Sequence, residues 1–448
     1  MAVSTTVSQL IEVLVACPVN LQTSTKVIGI QTDTRILQPG EVFVALRGEK
    51  FDGHNFVQEA IAKGAVAAIV DFDYENSDLP LLQVANTLTA YQQISRWWRD
   101  RFSIPVIGVT GSVGKTTTKE LIAAVLATRG KVHKTYGNFN NEIGVPKTLL
   151  ELDAKHDFAV IEMAMRGKGQ IAELTQIARP TIGVITNVGT AHIELLGSEA
   201  AIAEAKCELL AEMSHDSVAI LNHDNPLLMA TAEKVWQGKV ITYGFSGGNI
   251  QGRLINNDIL AVGDLQLPLP LPGKHNAINF LAALAVAQEL GIDWQSLQAG
   301  IMVDMPTGRS QRYTLANDVV ILDETYNAAP EAMLAALQLL ADTPGKRKIA
   351  VLGAMKELGE RSQQLHQRVG ETVKKLNLDG LLVLVDGQDA EAIAKSANGI
   401  PAECFATHAD LVARLKTFVQ AGDRLLFKAA HSVGLDRVVN QLKTEFSN

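Results

Sequence analysis

Residues 104–126, IPVIGVTGSVGKTTTKELIAAVL, constrain this chain more than any other segment. An apolar β-branched run, a glycine-bearing turn ending in Lys-Thr and an amphipathic run follow without a gap, which predicts strand, loop and helix. Gly111 and Gly114, with Ser112 and Val113 between or beside them, let backbone N–H groups turn inward around phosphate oxygens. The helix starting near Lys115 adds its positive N-terminal end. Lys115 supplies a point charge to the outer phosphates, the Thr116 hydroxyl is placed for Mg²⁺, and Thr117 belongs to the same ATP-binding loop. Val109 stands where the usual G-x-x-x-x-G-K-[ST] pattern has its first glycine. An ordinary strand-to-helix turn is the competing reading; binding of ATP or GTP is the working one.

With 448 residues the chain is long enough for two or three domains. Residues 1–103 read as a small α/β domain: VSQLIEVL and NFVQEAIAKG are helical, EVFVAL and AVAAIVD extended. In residues 104–310, FAVIEMA and TIGVITNV read as buried parallel strands between the helices KELIAAVLATRG and EAAIAEAKCELLAEM. Near Val240 the texture changes, and ITYGFSGGNIQGRLINNDILAVGDLQLPLPLPGKHN is expected to be an antiparallel excursion. The Pro- and Gly-containing MPTGRSQRY marks a boundary near residue 311. Beyond it, VVILDET, KIAVLGAM, GLLVLVDG and DRLLFKAA alternate with helical patterns, giving a Rossmann-like α/β domain over 311–448.

The 40 basic and 48 acidic residues leave a formal charge of −8. That balance offers no attraction to a polyanion, so nucleic-acid and membrane-surface roles are disfavoured. Cys17, Cys207 and Cys404 lie far apart, in no metal-like spacing and in odd number, which fits a reducing compartment. The N-terminus lacks the basic region of a signal peptide and no run reaches the length of a spanning helix, so a cytoplasmic protein without membrane insertion is expected.

Three further residues stand out singly. Glu162 lies in an apolar extended run, where a carboxylate is costly unless paired or metal-bound; a salt-bridged strand-end acid is the alternative. His192 follows the strand-like TIGVITNV, at the strand end where open α/β sheets bind ligands, although a lone histidine is more often structural. Lys206 falls in a helical pattern, where the ordinary reading is a solvated lysine.

In combination they say more. TGSVGKTTTKE, GNFNNEIGVP, IEMA, TNVGTAHIELLGS, EAKCELL, PGKHNAIN, PTGRSQRY and DETYNAAP occur in the order seen in Mur ligases, and the resemblance covers nearly the whole chain. TDTRILQPGEVFVALRGEKFDGHNF resembles the two later-acting members, and DETYNAAP resembles the one that adds a dipeptide. The resemblance implies a three-domain architecture and an ATP-dependent, ADP-forming ligase of peptidoglycan precursor synthesis. Its substrates would be UDP-N-acetylmuramoyl-tripeptide and D-alanyl-D-alanine, joined through an acyl phosphate by a chain expected to act as a monomer.

Carried over by position, the resemblance implies two Mg²⁺ ions, with Thr116, Glu162, His192 and a carbamylated Lys206 as ligands. Lys115, Glu162, His192 and Lys206 form the catalytic set. A histidine on Mg²⁺ is unusual on hardness grounds and rests on the resemblance alone. Asn276 and Asn279 resemble adenine-side contacts, with helix capping as the alternative; Arg309 resembles an arginine on the ATP phosphates, and Asp323 the acid on the ribose. Asn138 and Asn141 resemble a loop near the γ-phosphate and the acceptor carboxylate, or are turn formers. Tyr326 and Asn327 are candidate dipeptide contacts. Thr32, Thr34 and Arg35, with Glu49, Lys50 and Phe51, resemble the two loops that hold the UDP part, Thr34 replacing the usual Ser. In FKAAHSVG, Ala429, Ala430 and His431 replace a Lys-Gly-Ser-type turn, which leaves that loop's role open.

Two other readings compete: a ligase adding a single amino acid or glutamate to a folate, and a nucleotide-binding switch without ligation. The UDP-like loops and DETYNAAP argue against the folate reading. The switch leaves Glu162, His192 and Lys206 unexplained.

Overall fold

The computed structural model describes residues 3–76 and 78–445. Its strands form three main sheets from successive stretches of chain, five-, nine- and six-stranded, with a two-stranded ribbon at the N-terminus.

In the first sheet Ile30–Gln31, Val42–Val44, Ala67–Asp71 and Leu81–Val84 run parallel, and Cys17–Val19 adds an antiparallel edge. The loops 32–36 and 45–53 therefore leave neighbouring strands at the same edge of the sheet.

The second sheet is centred on Val106–Thr110, buried along its whole length. Phe158–Glu162 and Ile182–Ile185 flank it in parallel, and Val132–Lys134 closes one side. Val218–Asn222 and Lys239–Gly244 extend the other side in parallel. The antiparallel excursion thus starts later than the sequence texture suggests, at Ile250–Asn256, followed by Ile259–Val262 and Leu265–Pro268. Lys239–Gly244 stays in the main sheet because Ile241 and Tyr243 are buried in the apolar layer formed with helix Lys274–Glu289.

The third sheet places Asp423–Lys428 between Val320–Asp323 and Arg347–Leu352, continues through Gly380–Leu384 and Ala402–Phe405, and carries Gln311–Thr314 as its antiparallel edge.

The first two units share one apolar core. Helix Thr87–Arg99, capped by Asn86, whose Oδ1 accepts the Thr89 N–H at 2.8 Å, joins Trp98 to Leu149, Leu152 and Ile177 of the next unit. Trp98 Nε1 donates to Leu152 O at 3.0 Å and Arg99 Nε to Ala178 O at 2.9 Å. The third unit has a separate core. Its side-chain contacts with the second include polar pairs: Glu331 with Thr190, Glu357 with His192 and Arg361 with Glu199. A joint of that kind can part without exposing a hydrophobic core. No helix among the described residues is long and apolar enough to cross a membrane.

Candidate active site

The turn after Val106–Thr110 takes its shape from two glycines. Gly111 has φ +151°, and a Cβ there would sit 1.9 Å from Thr186 Oγ1. Gly114, at φ +82°, would place one 2.7 Å from Asn279 Oδ1. Val109 is a buried strand residue paired with Glu162 and Val184, so the position of the missing first glycine lies inside the sheet.

The loop is stapled from behind. Ser112 N–H donates to Asn187 O and Val113 N–H to Asn187 Oδ1, each at 3.0 Å, while Val113 O accepts from Thr186 Oγ1 at 2.6 Å. The amides of Ser112 and Val113, expected to face phosphate, are thus committed to Asn187. The cradle shifts to the first turn of helix Lys115–Leu126, where the N–H groups of Lys115, Thr116 and Thr117 have no intrahelical acceptor. Lys115 Nζ folds back on Gly111 O at 2.8 Å. Burial and the nearby Arg309 hold its pKa down to about 8, against the opposing pull of Glu162.

Glu162 ends its strand 1 % exposed. Its Oε1 accepts from Thr116 Oγ1 at 3.2 Å and from Asn140 Nδ2 at 2.8 Å. Oε2 is buried without a hydrogen-bond partner, the buried Lys119 ammonium lying 3.7 Å away. An orphaned carboxylate oxygen beside a P-loop hydroxyl is a fitting pair of donors for Mg²⁺. Among the described residues no three His, Cys, Asp or Glu side chains cluster as a cage. Mg²⁺ commonly takes one or two protein oxygens and completes its shell with substrate phosphates and water.

Lys206, expected on sequence grounds to be solvated, is 2 % exposed. Helix Glu199–Glu212 buries Ile202, Ala203, Ala205, Cys207, Leu209 and Leu210 as well, so it is covered on more than one face and its pattern hides the lysine's position. Burial first, then the charge of Lys115, pushes its pKa well below the usual lysine range. The neutral amine that results is the form that takes up CO₂. His192, with φ +65°, sits in the loop 186–192, its pKa lowered by burial and by Lys115 against the pull of Glu357. Lys115 is thus the common electrostatic neighbour of Glu162, Arg309, His192 and Lys206.

Asn279 packs on the P-loop at Gly114. Asn276 donates through Nδ2 to Pro272 O at 2.8 Å, and its Oδ1 is buried without a partner, an acceptor free for a base edge. The Arg309 guanidinium lies 3.9 Å over the Tyr326 ring, which also stacks on His431 at 5.4 Å. Ala430 has φ −59° and Ala429 is not among the residues with positive φ, so the divergent turn needs no glycine. Asp323 is buried and its Oδ1 is taken by Thr325 Oγ1 at 2.6 Å. The neighbouring Glu324, missed in the sequence, accepts from Ser310 N–H at 3.2 Å and lies 3.8 Å from the buried Lys428. Lys428 Nζ also donates to Asn327 O at 2.9 Å.

Of the two loop asparagines singled out, Asn138 is exposed and Asn141 lies just ahead of helix Gly144–Leu150, its Oδ1 accepting the Gly144 N–H at 2.9 Å. The contact to Glu162 comes from Asn140 instead. Two asparagines at 140 and 141 look alike in sequence, and only the turn decides which faces inward.

On the first unit, Thr32 is partly buried and Arg35 is exposed and paired with Asp33 at 2.6 Å. Thr34 is buried, its carbonyl accepting from Lys63 at 3.0 Å. Glu49, Lys50 and Phe51 are exposed at the same sheet edge. A cavity of about 370 Å³ lined by Arg47, Asp71, Phe72, Asp73, Asn86 and Thr87 opens there.

A P-loop with a metal-type carboxylate, on a unit in polar contact with a further α/β unit, defines a nucleotide-dependent enzyme, and the chain belongs to the Mur ligase family. Residues 109–287 match the Mur ligase middle domain, 308–431 the Mur ligase glutamate ligase domain, and 26–96 the Mur ligase family catalytic domain. The UDP-N-acetylmuramoyl-tripeptide–D-alanyl-D-alanine ligase of Synechocystis sp. is 60 % identical over 428 residues, 95 % of this chain and 94 % of that one. The Escherichia coli enzyme of the same name is 37 % identical over 92 % of this chain and 93 % of its own. Among solved structures, MurF from Acinetobacter baumannii superposes with a TM-score of 0.90 at 30 % identity, covering 99 % of each chain. MurF ligase from Thermotoga maritima in complex with ADP gives 0.84 at 33 % identity, over 93 % of this chain and 97 % of that one.

Proposed function

We infer that this chain joins D-alanyl-D-alanine to UDP-N-acetylmuramoyl-tripeptide, consuming ATP and releasing ADP and phosphate. The observation that carries the chemistry is the buried Glu162 carboxylate, its Oε1 on the Thr116 hydroxyl at 3.2 Å and its Oε2 without a hydrogen-bond partner, at the N-terminus of the P-loop helix. The choice of substrates is supported by relatives of that name aligned over nearly the whole chain.

A carboxylate is a poor electrophile with a poor leaving group, and conversion to an acyl phosphate changes both. The tripeptide carboxylate attacks the γ-phosphorus, the bond to the β-bridging oxygen breaks, and ADP leaves. The dipeptide's free amine then adds to the acyl carbon, and the tetrahedral adduct expels phosphate. Lys115, the helix N-terminus and Arg309 hold the phosphates in line and offset their charge. Asn276 and Asn279 face the base, and Asp323 with Glu324 and Lys428 frames the ribose side. Asn138, Asn140 and Asn141 sit on the loop beside Glu162, with Tyr326 and Asn327 on the dipeptide side. The loops holding Thr32, Thr34, Arg35, Glu49, Lys50 and Phe51 receive the UDP part.

Mg²⁺ fits Thr116 and Glu162 at one position, and His192 with carbamylated Lys206 at another, where it would neutralise phosphoryl charge. Lys206 becomes the carbamate when its neutral amine adds to CO₂ and loses a proton, turning a buried amine into an anionic oxygen donor. The separate core of the third unit and its polar contacts suit a body that closes on the other two and excludes water from the acyl phosphate. ATP and a UDP-linked precursor place the reaction in the cytoplasm, where the three free cysteines stay reduced.

The test is phosphate release from ATP with UDP-N-acetylmuramoyl-tripeptide and a panel of amines. Release that requires D-alanyl-D-alanine, and is not supported by lysine, meso-diaminopimelate or glutamate, is the expected result. Hydrolysis indifferent to any carboxylate and amine pair would make the chain a nucleotide switch.

A further inference from the structure

The loop that carries His192 belongs to the second unit, yet the third unit holds it from two sides. Glu331, at the start of helix Pro330–Asp342, accepts from Thr190 N–H at 2.8 Å and from Thr190 Oγ1 at 2.9 Å. Gly189 admits this approach because a Cβ there would lie 2.8 Å from Glu331 Oε1. Two residues beyond Thr190, the His192 ring nitrogen Nδ1 meets Glu357 Oε2. Glu357 O in turn accepts from Glu194 N–H at 3.4 Å.

Among the described residues Glu357 is the hydrogen-bond partner of the imidazole, and the second unit provides none. His192 also occupies the left-handed region at φ +65°, a conformation that surrounding contacts must impose on a non-glycine residue. A carboxylate on Nδ1 fixes the tautomer, so that Nε2 presents its lone pair and the ring plane is set.

We propose that Glu357 is the positioning residue for His192, so that docking of the third unit and capture of a divalent cation by the imidazole are one coupled event. Glu331 secures the same loop two residues earlier. The inference rests on His192 being a metal ligand of the ligase. Because coupling is reciprocal, a cation at His192 favours the docked unit as much as docking favours the cation.

The probe is Mn²⁺, titrated into the full chain with a non-hydrolysable ATP analogue and UDP-N-acetylmuramoyl-tripeptide, dipeptide omitted so that no turnover occurs. Electron paramagnetic resonance counts bound ions, and electron spin-echo modulation from ¹⁴N identifies the one carried by imidazole. The wild type is expected to bind two ions, one of them nitrogen-modulated. Glu357→Ala should weaken that ion about 10- to 100-fold and leave the other unchanged. Glu357→Gln, which keeps an acceptor oxygen, should lose less, and carries the test if the alanine variant fails to fold. Arg361→Ala removes the exposed cross-unit pair with Glu199, 3.4 Å long, without touching His192; such a pair adds little to docking, so the nitrogen-modulated ion should weaken no more than about 5-fold. In X-ray scattering, Mn²⁺ should compact the wild type and not Glu357→Ala.

Unchanged affinity in Glu357→Ala, or an equal loss in Arg361→Ala, overturns the positioning role of Glu357 while leaving the ligase reading intact. A wild type without a nitrogen-modulated ion sinks the metal role of His192 and the inference together.

Discussion

Replacing Gly111 by alanine tests whether the P-loop is shaped by the loop behind it. The new Cβ would lie 1.9 Å from Thr186 Oγ1, 3.1 Å from Thr186 Cβ and 3.2 Å from Thr186 N. The hydroxyl must therefore rotate away, and its 2.6 Å hydrogen bond to Val113 O is lost. Val113 O keeps its bond from Asn187 Nδ2 at 2.9 Å, so the loss costs the net worth of one hydrogen bond, about 0.5–1.5 kcal/mol. The positive φ of +151° adds strain of about 1–3 kcal/mol for a residue with a side chain. Against this, alanine restricts the unfolded chain and returns about 0.4–1 kcal/mol. The net expectation is a destabilisation of about 1–3 kcal/mol. Urea unfolding followed by tryptophan fluorescence suits the measurement, because Trp97, Trp98, Trp236 and Trp294 all lie outside the third unit. Thr186→Ala removes the obstructing oxygen. The double variant should be more stable than the sum of the two single effects by about 1 kcal/mol, whereas independent sites add to within about 0.5 kcal/mol. Strict additivity, or Gly111→Ala with unchanged stability and unchanged affinity for an ATP analogue, would refute the reasoning.

Lys206 ties stability to pH. Its depressed pKa means that the folded chain holds fewer protons than the unfolded one, so stability should rise with pH from the depressed value up to the ordinary lysine range. Lys206→Met should flatten that slope and raise stability near neutrality by about 1–3 kcal/mol, as unfolding curves at two pH values in bicarbonate-free buffer will show. The same variant should abolish ligation, and intact mass at high bicarbonate should find one added CO₂ on the wild type and none on the variant. Asn140→Ala should raise the Mg²⁺ concentration needed for half-maximal rate about 10-fold or more, and Asn138→Ala should not, since only Asn140 bonds Glu162. Tyr326→Ala should weaken binding of an ATP analogue by about 0.5–2 kcal/mol through the loss of the Arg309 stack, while Tyr326→Phe keeps it; calorimetry decides between them.

Features encoded within a few neighbouring residues were legible in the sequence. The P-loop, the apolar parallel strands and the helices that follow them each rest on a local pattern. Where buried neighbours decide, local pattern misleads: Lys206 has the spacing of a solvated lysine but lies under a helix covered on several faces, and Lys239–Gly244 is punctuated like a loop yet joins the main sheet. Asn140 and Asn141 differ only in which one the turn aims at Glu162. Glu357 and Glu331 carry no signal at all, because their partners lie 165 and 141 residues away and meet them only when two separately folded units touch. The resemblance named the proposed catalytic set residue by residue, whereas the contacts that support those residues belong to tertiary structure.

The central claim is that ATP activates the tripeptide carboxylate as an acyl phosphate. It is tested by labelling that carboxylate with ¹⁸O and measuring the phosphate released during ligation. Transfer of one labelled oxygen into each phosphate is the predicted result, and phosphate free of label would contradict it.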